Sequence, residues 1–429
     1  MRRLRELLAG KLQQAVVWNL ASLAVLSIAG VVLYVVIGRA YDAVTLGVFQ
    51  QTSAAWFIAT QIAVAGIDRS TLRSLAAHPH EPENAAAIVV GALASAAALA
   101  LVVTGAYWLS IDWISAWYEH HPGVSTGLAV SAPGLFFFAI NKVLLAVVNG
   151  VQRMRAFAVY SALRYLLLLA GIVGFVVFDV KREHGDQLAV VFTIGESALF
   201  LVLAIEVARQ ISFKLGRDWR AWSKRHLHYG LKSVASGALL EINAYVDVAM
   251  IGHFMTNADV GIYTFASMFA QGAYQILLVL QNVFNPILAR EIACARLDEL
   301  ALTVRKGRIG TYAGMVLVGA IAMLLYPHVL MLLTDKPVYL ASWTPFNWLM
   351  LGLVLASGYL PFAQTLLMSG HPGWHSIYML ACVVLNVAGN AMLIPVLGIS
   401  GSAIATGGAM VISVALLKAM VRRNVGLRL

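Results

Sequence analysis

Six ionisable side chains fall within or beside long apolar runs: Lys142, Arg164 and Lys232 against Glu196, Glu241 and Asp247. A charge at bilayer depth is costly, so it is kept where it has a partner or a task. Three cations lining one cleft could hold a phosphate or pyrophosphate through charge-assisted hydrogen bonds. Arg164 suits this best, because its planar fork grips two oxygens at once. The carboxylates could carry protons or bind Na⁺. The alternative is that cations and anions neutralise one another as structural pairs. Lys232 and Asp247 cannot do so with each other, being about four turns apart on one helix.

The composition says what positions them. Apolar residues make up 60% of the 429, charged residues 12%, and mean hydropathy is +0.80. A soluble domain carries about twice that charge, so the chain is an integral membrane protein. Its net charge of +10 sits in short segments between apolar runs, as expected for loops that meet anionic headgroups rather than nucleic acid. Cys294 and Cys382 are too few and too dispersed for a disulfide framework.

No G-x-x-x-x-G-K-[ST] loop occurs, so the chain does not bind ATP in P-loop fashion. There is no G-x-S-x-G and no H-E-x-x-H either, and no nucleophile is paired with a base. "HPHEPEN" (His78–Asn84) contains a His-x-His without a second ligand cluster, and His120 and His121 read as interfacial. The expectation is no enzyme, no cofactor and no metal centre of that kind.

Apolar runs of spanning length fall near 16–37, 46–66, 85–109, 124–149, 155–178 and 188–208, then 228–253, 260–284, 309–333, 343–369, 374–396 and 400–420. The basic start "MRRLRELLAGKLQQ" resembles a signal peptide, but the run after it is long enough to span and reads as a retained helix. The N-terminus, the even-to-odd connections and the C-terminus hold 23 of the 30 Lys and Arg residues. That bias places both termini in the cytoplasm. The connection "RQISFKLGRDWRAWSKRH" (Arg209–His226) mixes six basic residues with Phe213, Trp219 and Trp222. It reads either as a segment on the inner leaflet or as a solvated linker.

The two halves echo one another. In "IGRAYDAVTLGVF" (Ile37–Phe49) and "IGHFMTNADVGIY" (Ile251–Tyr263), Ile37, Gly38, Gly47 and Phe49 match Ile251, Gly252, Gly261 and Tyr263 at an offset of 214. Each half holds an even number of spans, so the repeats are parallel and related by an axis along the membrane normal. The predicted fold is all-α, twelve transmembrane helices in two six-helix lobes, 1–208 and 227–429, with 209–226 as the basic linker. Two such lobes facing each other make a cleft suited to alternating access.

Ser53, Gln61, Asp68 and Thr71 repeat as Ser267, Gln275, Asn282 and Asn285. On the eighth helix Ser267, Gln271, Gln275, Asn282 and Asn285 share one sector of about 80°. A polar stripe must face protein or water, so it is either interhelical glue or a hydrophilic wall. On the seventh helix Lys232, Ser236, Asn243 and Asp247 share a sector and Glu241 points away. The first helix offers only Asn19, Ser22 and Ser27, so the second half is the better place for ion or headgroup binding.

"DVAMIGHFMTNADVGIYTFASMF" (Asp247–Phe269), "NPILAR" (Asn285–Arg290), "NAMLIPVLGISGSAIAT" (Asn390–Thr406) and "GVFQQTSA" with Arg69 resemble the Wzx-like polysaccharide-export flippases. These belong to the multidrug/oligosaccharidyl-lipid/polysaccharide (MOP) exporter superfamily. The resemblance implies a MATE/MOP-like fold in a bacterial inner membrane. It also implies flipping of a polyprenyl-pyrophosphate-linked oligosaccharide from the inner to the outer leaflet, with membrane lipid and a polysaccharide polymerase as partners. Lys142, Arg164 and Lys232 would then meet the pyrophosphate. Gln61, Ser267, Gln271, Gln275 and Asn282 would meet the sugar, and Asp247, Glu241 and Glu196 would couple an ion. Two readings compete: an ion-coupled multidrug or cation antiporter of the same superfamily, and an integral-membrane glycan ligase. The short outer loops speak against the ligase.

Overall fold

The structure is a computed structural model that describes residues 2–78, 82–118, 123–210, 218–294 and 296–427. Within these stretches it describes the backbone alone at 2–17, 19, 20, 82, 83, 231–237, 240 and 297. The first half contains α1 (Arg2–Ala40), α2 (Ala43–Val64), α3 (Ile67–Ala77), α4 (Pro82–Leu109), α5 (Ile111–Trp117), α6 (Val124–Gly150), α7 (Met154–Phe178) and α8 (Val190–Gln210). The second contains α9 (Trp219–Phe254), α10 (Asn257–Ala293), α11 (Leu297–Thr334), α12 (Trp343–Ala356), α13 (Thr365–Met368), α14 (Pro372–Leu397) and α15 (Ile399–Val425). Among the described residues there are no strands, and ten helical stretches are long and apolar enough to cross a membrane. The long helices α2 and α9, of 22 and 36 residues, bring the long segments to the expected twelve.

Three departures from the expected spans matter for the site. The second span ends at a left-handed turn over Ala65 and Gly66 (φ 47° and 69°), after which α3 continues. The seventh helix starts at Trp219 rather than 228, so the described part of the connection, 218–226, is mostly helix. The tenth span does not run to 369. It stops at Ala356, passes through a 3₁₀ turn over Leu360–Phe362 and resumes as the short α13. Pro361 has no N–H to donate and fixes its own φ, and hydropathy is blind to that. The break leaves a carbonyl to be satisfied by other protein groups. Gln281 of α10 does so, its Nε2 donating to the Leu360 carbonyl at 3.3 Å.

Contacts group the chain into two compact units: 1–41 with 51–241, and 42–50 with 242–429. In unit 1, α6 is the central helix, packed by α3, α4 and α8, while α1 packs along α7. Its aliphatic core joins Ile67, Ile88, Val143, Leu144, Leu199 and Leu203. The start of α9 also docks in this unit. The Gly91 face of α4 lies against the backbone of Trp219 and Ser223, and Ser95 hydrogen-bonds the Ser223 hydroxyl at 2.8 Å. Trp222 and His226 are thereby buried, while Arg220, Lys224 and Arg225 stay exposed. In the described end of the basic connection, Trp222 packs on protein while the basic side chains remain exposed.

In unit 2, α15 packs on α12 and α14, and α10 and α11 pack on α12. The repeated phrase does two jobs here. Asp42 caps α2 by accepting from Thr45 N at 2.9 Å, and Thr256 caps α10 in a reciprocal box with Asp259. One turn on, the first turns of α2 and α10 cross. A Cβ on Gly47 would stand 1.8 Å from the Asn257 carbonyl oxygen, and one on Gly261 would stand 2.0 Å from that of Ala43. Only hydrogen fits at either position.

Candidate functional site: a charge cluster in unit 1 and a polar knot in unit 2

Five of the six expected intramembrane charges lie in unit 1, on α6, α7, α8 and α9, and Asp247 lies in unit 2. Arg164 and Glu196 take each other. Arg164 Nε lies 2.8 Å from Glu196 Oε1, and Nη2 donates to Oε2 at 3.2 Å. Asn141 of α6 completes the carboxylate's shell, its Nδ2 donating to Oε2 and to the Glu196 backbone carbonyl, each at 2.8 Å. The expectation that Arg164 offers its fork to a ligand, with Glu196 free to couple an ion, therefore meets a closed pair. The physical reason is depth: a bare carboxylate on α8 would be costly, and the guanidinium on neighbouring α7 is within reach.

Lys142 is placed differently. Its ammonium lies 5.5 Å from the Phe138 ring centre, on the same ring that the Arg164 guanidinium approaches to 4.5 Å. It makes no ion pair or hydrogen bond to any described residue, although the charges of Arg164, Asp68, Glu196 and Glu241 all act on it. The side chain is only partly buried. It is a cation held in place by a ring rather than by a carboxylate.

Glu241 is met by Gln61, whose Nε2 donates to Oε1 at 3.1 Å. Lys232 and Ser236 lie outside the described side chains. Asn243 is partly buried.

Asp247 anchors a knot of neutral polar groups in unit 2. Tyr263 OH donates to Oδ2 at 2.6 Å, Thr406 Oγ1 to Oδ1 at 2.6 Å, and Asn390 Nδ2 reaches Oδ1 at 3.4 Å. Asn386 Oδ1 accepts from Asn390 at 2.8 Å and Thr406 at 3.0 Å, and Ser402 donates to Asn390 Oδ1 at 2.6 Å. No cation enters this set among the described residues. Composition and helix-seven periodicity did not point to Asn386, Asn390, Ser402 or Thr406. A signal was present, since two i,i+4 pairs of small polar residues flank the Leu397–Ile399 turn, and a hairpin brings such pairs together.

The polar stripe of α10 divides. Asn285 acts as glue, its Nδ2 donating to Gln364 Oε1 at 2.8 Å beside the broken helix. Ser267 bonds only its own helix, at the Thr264 carbonyl. Gln271 and Asn282 are exposed and Gln275 is partly so, none with a hydrogen-bond partner among the described residues.

Residues 12–292 match the model of the family described as polysaccharide biosynthesis protein. No curated protein matches the sequence. Among solved structures, the chain is similar to the lipid II flippase MurJ in an inward closed conformation, at 14% identity, with TM-score 0.76 over 95% of this chain and 87% of that one. It is also similar to an inward-facing multidrug resistance MATE family transporter of the MOP superfamily, at 14% identity, TM-score 0.79 and 94% of each chain. A MOP superfamily transporter from Pyrococcus furiosus matches at 14% identity and TM-score 0.64, over 96% of this chain and 94% of that one. At such identities the likeness is one of fold. Fold and family model together identify a multi-pass membrane protein that belongs to the polysaccharide biosynthesis protein family and has the fold of MOP superfamily transporters.

Proposed function

We propose that this protein flips a polyprenyl-pyrophosphate-linked oligosaccharide from the cytoplasmic to the outer leaflet of a bacterial inner membrane, by alternating access of its two repeats. The observation that carries the proposal is Lys142: an intramembrane cation, positioned by Phe138, whose ammonium has no carboxylate partner among the described residues. A pyrophosphate is the anion that would complete it. Arg164 then serves as a positioning residue, fixed by Glu196 and Asn141 so that its own charge stays beside Lys142. The hydroxyl and amide groups of Ser267, Gln271, Gln275 and Asn282, which bond no other helix among the described residues, are suited to a sugar. Membership of a polysaccharide biosynthesis family and the fold it shares with a lipid II flippase support the same cargo class.

Asp247 with Asn386, Asn390 and Thr406 would hold the coupling cation. When bound, such an ion neutralises the carboxylate and ties α9 to α14 and α15. Glu241, held by Gln61, is a second carboxylate able to take up a proton. Both termini are assigned to the cytoplasm by the distribution of Lys and Arg, and a polymerase acting on the delivered unit is the natural partner.

A cation antiporter would use the same Asp247 cluster, and this is the second reading. A deletion strain separates the two. Mass spectrometry of its lipids should show a complete oligosaccharide on its polyprenyl-pyrophosphate carrier, cleared by the intact gene. Normal carrier lipids and normal surface glycan, together with new drug sensitivity, would overturn the flippase in favour of the antiporter.

A further inference from the structure

A second convergence of cations lies in unit 2, at the helix break. Tyr359 occupies the gap between α12 and the Leu360–Phe362 turn. Arg308 Nη1 donates to its hydroxyl at 2.8 Å, with the guanidinium 5.0 Å from the ring centre. Lys418 Nζ, from α15, donates to the same hydroxyl at 3.4 Å and also stands 5.0 Å from the ring. Two like charges are therefore held within about 6 Å of each other by a neutral ring.

A phenol oxygen has two lone pairs and one proton. Arg308 and Lys418 take the lone pairs, so the O–H is left to donate. The remaining guanidinium and ammonium N–H groups have no acceptor among the described residues. Everything the trio offers is a donor. Among the described residues no carboxylate pairs with Arg308 or Lys418, and after Asp335 the chain has no Asp or Glu at all. Glu291 and Glu299 are engaged by Arg296, and Asp298 lies ten residues before Arg308, about 15 Å along α11. The break is shaped to this purpose. A Cβ on Gly358 would stand 2.7 Å from Arg308 Cγ and 2.2 Å from the Tyr312 ring, so only glycine lets the Arg308 stem lie across the gap.

We infer that Arg308, Lys418 and Tyr359 form a binding site for the phosphate of a lipid headgroup. Its depth fits. Arg308 immediately precedes the apolar run 309–333, and Lys418 falls in the last turn of the run 400–420, the level at which cations and aromatic rings meet phosphates. Ile309 and Leu355 beside it are 58% and 53% exposed, so an anion arriving there brings an apolar tail. The site shares no residue with the Lys142 cluster. A phospholipid and a polyprenyl-phosphate carrier share the required chemistry.

Native mass spectrometry of the delipidated full-length protein tests this, with phosphatidylglycerol, undecaprenyl phosphate and phosphate-free diacylglycerol as probes. The wild type should retain the two phosphate lipids over diacylglycerol. Neutralising both cations (R308Q with K418Q) should cut that retention about tenfold, whereas R308K with K418R should keep it. Preference for phosphatidylglycerol assigns the site to the bulk membrane, and preference for undecaprenyl phosphate to a carrier. Equal retention by the neutral pair, or of diacylglycerol by the wild type, overturns the inference. If the neutral pair does not fold, Tyr359→Phe, which keeps the ring and removes one donor, must still lower retention, and undiminished binding there overturns it too.

Discussion

Glu196 receives Arg164 at two points, with 1% and 10% of the respective side chains exposed, whereas Lys142, over the Phe138 ring that Arg164 shares, has no ion pair or hydrogen bond among the described residues. Removing one member of a buried pair leaves the other charged and alone, at a cost of about 3–5 kcal/mol. Arg164→Ala and Glu196→Ala should therefore lower thermal stability sharply in detergent. The double exchange to a matched apolar pair should recover most of it. Single variants that melt with the wild type would show that the pair carries no structural weight.

Lys142→Ala should behave in the opposite way. No bond is broken, so the melting temperature stays within a few degrees, while accumulation of carrier-linked glycan in cells reaches that of the deletion. Complementation by the alanine variant at wild-type level would remove Lys142 from the site.

The knot around Asp247 predicts cation-dependent stability. Sodium should raise the melting temperature of the wild type, since a ligand that binds only the folded state stabilises it. Asp247→Asn and Thr406→Val should flatten that response and leave the response to potassium unchanged. A sodium shift of wild-type size in Asp247→Asn would exclude the site.

His226, at the start of α9 and outside the predicted span, is fully buried, its Nδ1 2.8 Å from Ser70 Oγ. Burial pushes its pKa down from 6.5 to about 4. Between those values the unfolded chain binds a proton that the folded protein does not, so stability falls as pH drops through this window, by up to about 3 kcal/mol. His226→Asn, which can still bond Ser70, should abolish this part of the pH slope while leaving stability at pH 7.5 close to wild type. A slope identical in both would assign it to other groups.

Gly47→Ala and Gly261→Ala each drive a methyl into a carbonyl oxygen of the crossing helix. Each should cost about 1–3 kcal/mol or more, read as lower yield of folded protein, whereas Gly30→Ala, where the space is open, should cost nothing by this route. Equal yields at all three positions would mean the crossing is not close in the membrane.

The spans were legible because each is a long stretch of one chemistry, and α4, α6, α7 and α14 match their runs to within a few residues. The interruption at 357–364 was not, since Leu360, Pro361 and Phe362 are as apolar as a helix interior and the signal is backbone chemistry. For the site, the sequence named the charged residues but not who meets whom. Arg164 and Glu196 are 32 positions apart and Asp247 and Thr406 are 159 apart, distances over which helical periodicity says nothing. The polar partners Asn141, Asn386, Asn390 and Ser402 stayed hidden because a single small amide or hydroxyl in an apolar run looks like noise until its acceptor is known.

The crossing of α2 with α10 bears on how this chain came to be and how it can change. After a gene doubles, its halves are ordinarily free to diverge wherever each folds against its own neighbours. At Gly47 and Gly261 each half is the other's neighbour, one glycine making room for the stretch that contains its own counterpart. A side chain at either position meets a backbone carbonyl of the other copy, so each glycine is held by the opposite half. That mutual constraint falls where the two halves read alike, while their intramembrane charges differ.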